Sequence, residues 1–178
     1  MAFSAARGVT QVMNRCEDAK TTGYLDLSSC ELMYIADAIY LVLTDYQENI
    51  DKCSLKNNKL KKFPKKLIER FPNMAVLNME GNQIGEVPEE IGQWSVLKGI
   101  NLAKNNLSEF PSQILGVKQL ALLDLSYNSI QDIDAETICS SLTSLKQIHL
   151  TGNPLTSDND KRTKIENVLK TKKIVAKF

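Results

Sequence analysis

The chain has 178 residues, with 22 lysines and arginines against 21 aspartates and glutamates, so its near-neutral charge singles out no polyanionic partner. A hydrophobic fraction of 43% is enough for one continuous core. The longest apolar run, Ala38 to Leu43, falls well short of the ~18 residues that cross a membrane.

Around residues 4 to 20, Ala5, Val9, Val12, Met13 and Cys16 recur at helical spacing among Arg7, Gln11, Asn14 and Arg15. This predicts an amphipathic helix, read as a cap over residues 1–21, since stacked repeats need polar-faced ends. Met1 to Arg7 lack the apolar core of a secretion signal, position 2 is not glycine, and no prenylation cysteine closes the chain. No leader or lipid anchor is therefore expected.

From residue 22 to 155 one pattern recurs six times. The sharpest copy is Leu120-x-x-Leu123-x-Leu125-x-x-Asn128-x-Ile130. The same form begins at Ile50, Met74, Leu97 and Leu145, and a weaker first copy runs through Leu25, Leu27, Cys30 and Leu32. The turn positions Cys30, Asn58, Asn82, Asn105, Asn128 and Asn153 are 28, 24, 23, 23 and 25 residues apart. One such unit cannot bury its apolar face alone, but neighbours of the same shape can.

The short alternating segments predict parallel strands stacked into a concave sheet. At the turn, an amide can both donate and accept, so stacked asparagines are expected to satisfy buried backbone groups. The segments returning to the next strand differ. In the first, Asp37 is expected to cap a helix. In the next three, Phe63-Pro64, Val87-Pro88 and Phe110-Pro111 start the return, because proline steers the chain off the sheet. Trp94 is expected inside. The fifth return, Ile133 to Cys139, reads as a short helix. In residues 156–178, Asp158 and its neighbours should cap a helix striped by Ile165, Val168 and Leu169, with a tail that either adds an edge or frays.

Four cysteines, Cys16, Cys30, Cys53 and Cys139, are scattered, without a C-x-x-C pair. Cys53 falls on a leucine position and Cys30 on an asparagine position of the repeat, so both are expected to be buried thiols. A reducing compartment, the cytoplasm, fits such usage.

The L-x-x-L-x-L-x-x-N-x-L repeats cover most of the chain, and with Leu25-Asp26-Leu27, Glu80-Gly81-Asn82 and Asn153-Pro154-Leu155 they resemble the small intracellular leucine-rich-repeat proteins. That resemblance implies an α/β right-handed solenoid: a curved parallel sheet on the concave face, short helices or irregular segments on the convex face, and helical caps at both ends. It implies protein binding and little more.

No catalytic constellation, cofactor motif or small-molecule site emerges, and the protein is read as a non-enzyme. The sole histidine, His149, falls at a solvent-facing strand position without metal-site neighbours. Three concave columns remain as candidates: Tyr24, Lys52, Val76, Gly99, Leu122 and Gln147; then Asp26, Ser54, Asn78, Asn101, Asp124 and His149; then Ser29, Asn57, Gly81, Lys104, Tyr127 and Gly152. The partner-binding candidates among them are Tyr24, Asp26, Val76, Asn78, Asn101, Leu122, Asp124, Tyr127 and His149; Tyr24, Val76, Leu122 and Tyr127 are the expected anchors, because exposed aromatic and apolar groups gain most on desolvation. The expected partner is a protein bound by a monomer. A second reading places an anionic lipid or nucleic acid on Lys52, Lys56, Lys59, Lys61, Lys62, Lys65 and Lys66. It is disfavoured, since no aromatics interleave these lysines to stack on bases.

Overall fold

The computed structural model describes residues 2–178, with side chains from Gly8 onward. Seven three-residue strands form one parallel sheet in sequence order: β1 (Tyr24–Asp26), β2 (Lys52–Ser54), β3 (Val76–Asn78), β4 (Gly99–Asn101), β5 (Leu122–Asp124), β6 (Gln147–His149) and β7 (Val175–Lys177). The central residues Leu25, Cys53, Leu77, Ile100, Leu123, Ile148 and Ala176 lie in register. All of these but Ala176 are buried.

The returns carry α2 (Asp37–Val42), α3 (Lys66–Arg70), short 3-10 helices after Pro88 and Pro111, and α4 (Ala135–Ser141). Helix α1 (Ala2–Thr22) packs on β1, and α5 (Asn159–Thr171) closes the other end. One apolar core runs without interruption from Cys16 to Ile174.

The asparagine ladder forms as expected. Each side chain, from Asn58 to Asn153, donates through Nδ2 to a carbonyl of its own strand end and to one of the preceding repeat. Each Oδ1 accepts an N–H from that preceding repeat. Asp134 caps α4 through the Thr137 N–H, and Asp158 caps α5 through those of Asp160 and Lys161. The tail forms β7, paired to β6, and does not fray.

Three expectations are corrected. Asp37 does not cap α2; Ala36 holds that position without a side-chain bond, and Asp37 reaches Lys66 at 2.6 Å. Cys30 is only half-buried. A thiol cannot donate as an amide does, and the ladder has no earlier repeat to lean on here. Arg15 of α1 takes over, its guanidinium donating to the carbonyls of Asp26 and Ser28 and lying 3.2 Å from the Cys30 sulfur. The N-terminal helix thus closes the first turn by hydrogen bonding as well as by burying Cys16 and Ala19. Third, Val9 is 65% exposed, so among the described side chains the packed face of α1 includes Val12, which is partly buried, but not Val9; the Ala5 side chain lies outside the described residues.

Candidate functional site

The concave face carries the three columns in the expected register. The first, on β1 to β7, puts most of its side chains in solvent. Tyr24 and Val76 are each 42% exposed, Leu122 36% and Val175 52%. Apolar side chains on rigid strands therefore meet solvent along the sheet.

The second column, proposed from sequence as a free polar strip, is engaged in building the turn. Asp26, Asn78, Asn101 and Asp124 each accept, through Oδ1, the backbone N–H two residues on, at 2.9 to 3.0 Å. This local bond bends the chain out of the strand. His149 is also not free: Nδ1 lies 3.2 Å from Asp124 Oδ2, and the ring is largely covered. A carboxylate only accepts, so this contact suits a ring that donates from Nδ1, and Nε2 is buried with no partner among the described residues. The seventh strand, which sets Lys177 in register beside His149, supplied a neighbour that the repeat pattern did not announce.

The third column has a backbone signature. Ser29, Asn57, Gly81, Lys104, Tyr127 and Gly152 all have φ between 53° and 75°, in the left-handed region. The N–H groups of the first five tie the repeats together; that of Tyr127 reaches the Thr151 carbonyl at 2.7 Å. Glycine or asparagine adopts this conformation easily, but a bulky aromatic does so at a cost. Tyr127 does so and leaves its ring 56% exposed, packed over Gly152. A Cβ on Gly152 would stand 2.5 Å from the Tyr127 ring, so this glycine makes room for it.

Beside Tyr127 lies a charged bridge that the sequence reading missed. Glu80 takes Lys56 at 2.8 Å and Lys104 at 2.7 Å, with only 13% of its side chain exposed. The Lys104 and then the Lys56 ammonium hold its carboxyl below the usual carboxylate range. The three residues come from successive repeats, so only stacking reveals the arrangement.

Leu122, Asp124, Tyr127 and His149 fall on two adjacent strand ends, whereas Tyr24 and Asp26 lie at the far end of the sheet. The seven lysines do not form one bare basic face. Lys56, Lys59, Lys65 and Lys66 pair with Glu80, Glu31, Glu90 and Asp37. Only Lys52, Lys61 and Lys62 lack an ion pair among the described residues. Among those residues no group of three metal-ligating side chains gathers, and no helix is long and apolar enough to cross a membrane.

Residues 52–177 match the family model described as the NXF2 LRR domain. The chain belongs to the leucine-rich-repeat family. Mouse leucine-rich repeat-containing protein 20 is 32% identical over 91 residues, 51% of this chain and 48% of that protein; the human protein is 32% identical over 98 residues, 55% and 52%. The chain thus spans about half the length of these curated relatives. A fission yeast (Schizosaccharomyces pombe) adenylate cyclase is also 32% identical, over 57% of this chain but 6% of that protein, so no catalytic assignment follows. Among solved structures, a leucine-rich-repeat protein of Leptospira interrogans superposes with a TM-score of 0.62 at 26% identity, covering 73% of this chain and 32% of that one. An internalin of Listeria monocytogenes gives 0.61 at 16% identity, covering 87% and 40%. Like these, the chain is an α/β leucine-rich-repeat solenoid, a fold whose general use is protein–protein interaction.

Proposed function

We propose that this chain is a non-catalytic module that binds a protein partner, as a monomer, on its concave face, with the centre of the site at Leu122 and Tyr127. The observation that carries this reading is Tyr127. It holds a left-handed backbone that asparagine or glycine adopts at less cost, and it is exposed on the same repeat as Leu122, one repeat from Lys104 of the Lys56–Glu80–Lys104 bridge. Strain kept at an exposed aromatic suggests use rather than folding. Aromatic and aliphatic anchors ringed by charge match the chemistry of interface hot spots. Four free thiols, Cys16, Cys30, Cys53 and Cys139, suit the cytoplasm.

The test uses proteins recovered on the immobilised chain from cytosol, then purified and titrated against it. Leu122→Glu/Tyr127→Glu should keep the thermal transition and weaken the binding of such a partner at least ~100-fold, as loss of two central anchors does. Unchanged affinity sinks the assignment of this face. A separate readout isolates the strain. Tyr127→Asn should raise stability in urea by up to ~1 kcal/mol while weakening the same partner, because it relieves the left-handed tyrosine and removes the anchor.

A further inference from the structure

A second surface lies off the concave face, along the edge where the turns leave the strands. The third and fourth residues after each turn position sit there in turn: Met33 and Tyr34, Lys61 and Lys62, Gly85 and Glu86, Ser108 and Glu109, Gln131 and Asp132. The edge is apolar in the first repeat, basic in the second and acidic in the next three. Tyr34 is 74% exposed and Met33 66%, both high among the large apolar side chains of the described residues. Between the first two returns is a groove of about 380 Å³, lined by Met33, Tyr34, Ile35, Lys61, Lys62 and Phe63 among others.

We infer that this groove docks an acidic peptide segment of a partner protein, one that inserts an aromatic or leucine side chain between Tyr34 and Phe63 and sets carboxylates against Lys61 and Lys62. The charge is what chooses the occupant. Lys65 and Lys66 on the same groove already hold Glu90 and Asp37, at 2.9 and 2.6 Å. Lys61 and Lys62 have no acid partner among the described residues, so two ammonium groups stand free beside an apolar cleft. Methionine adapts to varied side chains, and tyrosine offers a large rigid contact at small entropic cost.

An equivalent groove three repeats along has the opposite character. Phe110 and Ile133 stand there where Ile35 and Phe63 do, in a cleft of about 430 Å³ that Glu109, Asp132 and Asp134 line; Lys161 offsets Asp132 at 3.4 Å, which leaves Glu109 and Asp134 without a basic partner among the described residues. An acidic segment is repelled at that groove, so the geometry confines it to the first two repeats. A flat anionic membrane fits less well, because it would meet Glu86, Glu109 and Asp132 on the same edge and could not enter a cleft.

The experiment pans the whole chain against a displayed library of random peptides and measures recovered peptides, resynthesised with fluorescein, by anisotropy. Recovered sequences should combine aspartate or glutamate with one aromatic or leucine. Lys61→Glu/Lys62→Glu should weaken them about tenfold or more, and higher salt should weaken the wild type. Tyr34→Ser should also weaken them, and Lys61→Ala/Lys62→Ala should fall between wild type and the charge reversal. Leu122→Glu/Tyr127→Glu should leave them unchanged, which separates this groove from the concave face. The substituted side chains are exposed, so a common melting temperature shows that every variant is folded. Recovery of peptides without acids, or equal binding by the charge-reversed variant, overturns the inference. So does binding to phosphatidylserine vesicles, or a sedimenting dimer, that the charge reversal abolishes while no acidic peptide is recovered.

Discussion

Replacing Asn105 with alanine is expected to cost about 2–4 kcal/mol, read as a lower urea midpoint at unchanged slope. The Asn105 amide sits in the middle of the ladder, and its four contacts are not equal. Its Nδ2 donates to the carbonyls of Met79, Leu102 and Ala103, at 3.0 to 3.1 Å. Each of these oxygens has a second donor: Asn82 for Met79, Asn128 for Leu102 and the Gly81 N–H for Ala103. The Ile84 N–H is different, since Asn105 Oδ1 at 2.9 Å is the acceptor recorded for it. Alanine thus strands one buried N–H, at about 1–3 kcal/mol, and thins the bonding of three carbonyls. Aspartate separates the two roles. It still offers Ile84 an acceptor, but it presses a buried charge against carbonyls that need a donor. Asn105→Asp should therefore be at least as damaging as Asn105→Ala. If Asn105→Ala falls within ~0.5 kcal/mol of wild type, the ladder does not hold the repeats together.

The period of these asparagines made most of the fold legible. Once their spacing is read, the register of six strands follows, because every copy places its apolar residues at the same offsets. What escaped has physical causes. The left-handed column is built by serine, asparagine, glycine, lysine and tyrosine alike, so no residue type announces it. Its place one residue before each turn position, and in four of the six repeats three residues after an Asp or Asn that folds back on the chain, is what marks it. Asp124 was read as free for a partner, yet it bonds the Ser126 N–H and His149, which lies a whole repeat away in sequence. The ends were hardest. Neither Arg15 nor β7 has another copy to be compared with, and both act by completing a neighbour. Along the site, the exposed apolar column was legible from alternation, whereas the Lys56–Glu80–Lys104 bridge needed three repeats superposed.

Trp94 tests how a lesion spreads through such a stack. It is fully buried, donates Nε1–H to the Phe71 carbonyl at 2.8 Å, and lies 6.3 Å from the Phe63 ring. It thereby joins the second return to the third. Trp94→Ala should cost ~3–5 kcal/mol, since the cavity it opens is walled by rigid neighbours on both sides. Trp94→Phe keeps most of the apolar volume, and the Phe71 carbonyl retains the Met74 N–H, so this change should cost only ~1–2 kcal/mol. A surface anchor would show neither loss, and an unshifted transition in Trp94→Ala would contradict its inward placement. The pattern of loss matters as much as its size. Each repeat touches only its neighbours, so stability is close to a sum of repeats and interfaces. Amide exchange in Trp94→Ala should then accelerate most in β2, β3 and β4, and least in β6 and β7, the last of which α5 packs against at the other end. Equal acceleration across all seven strands would mean instead that the chain opens as one cooperative body, in which a single interface decides the stability of every turn.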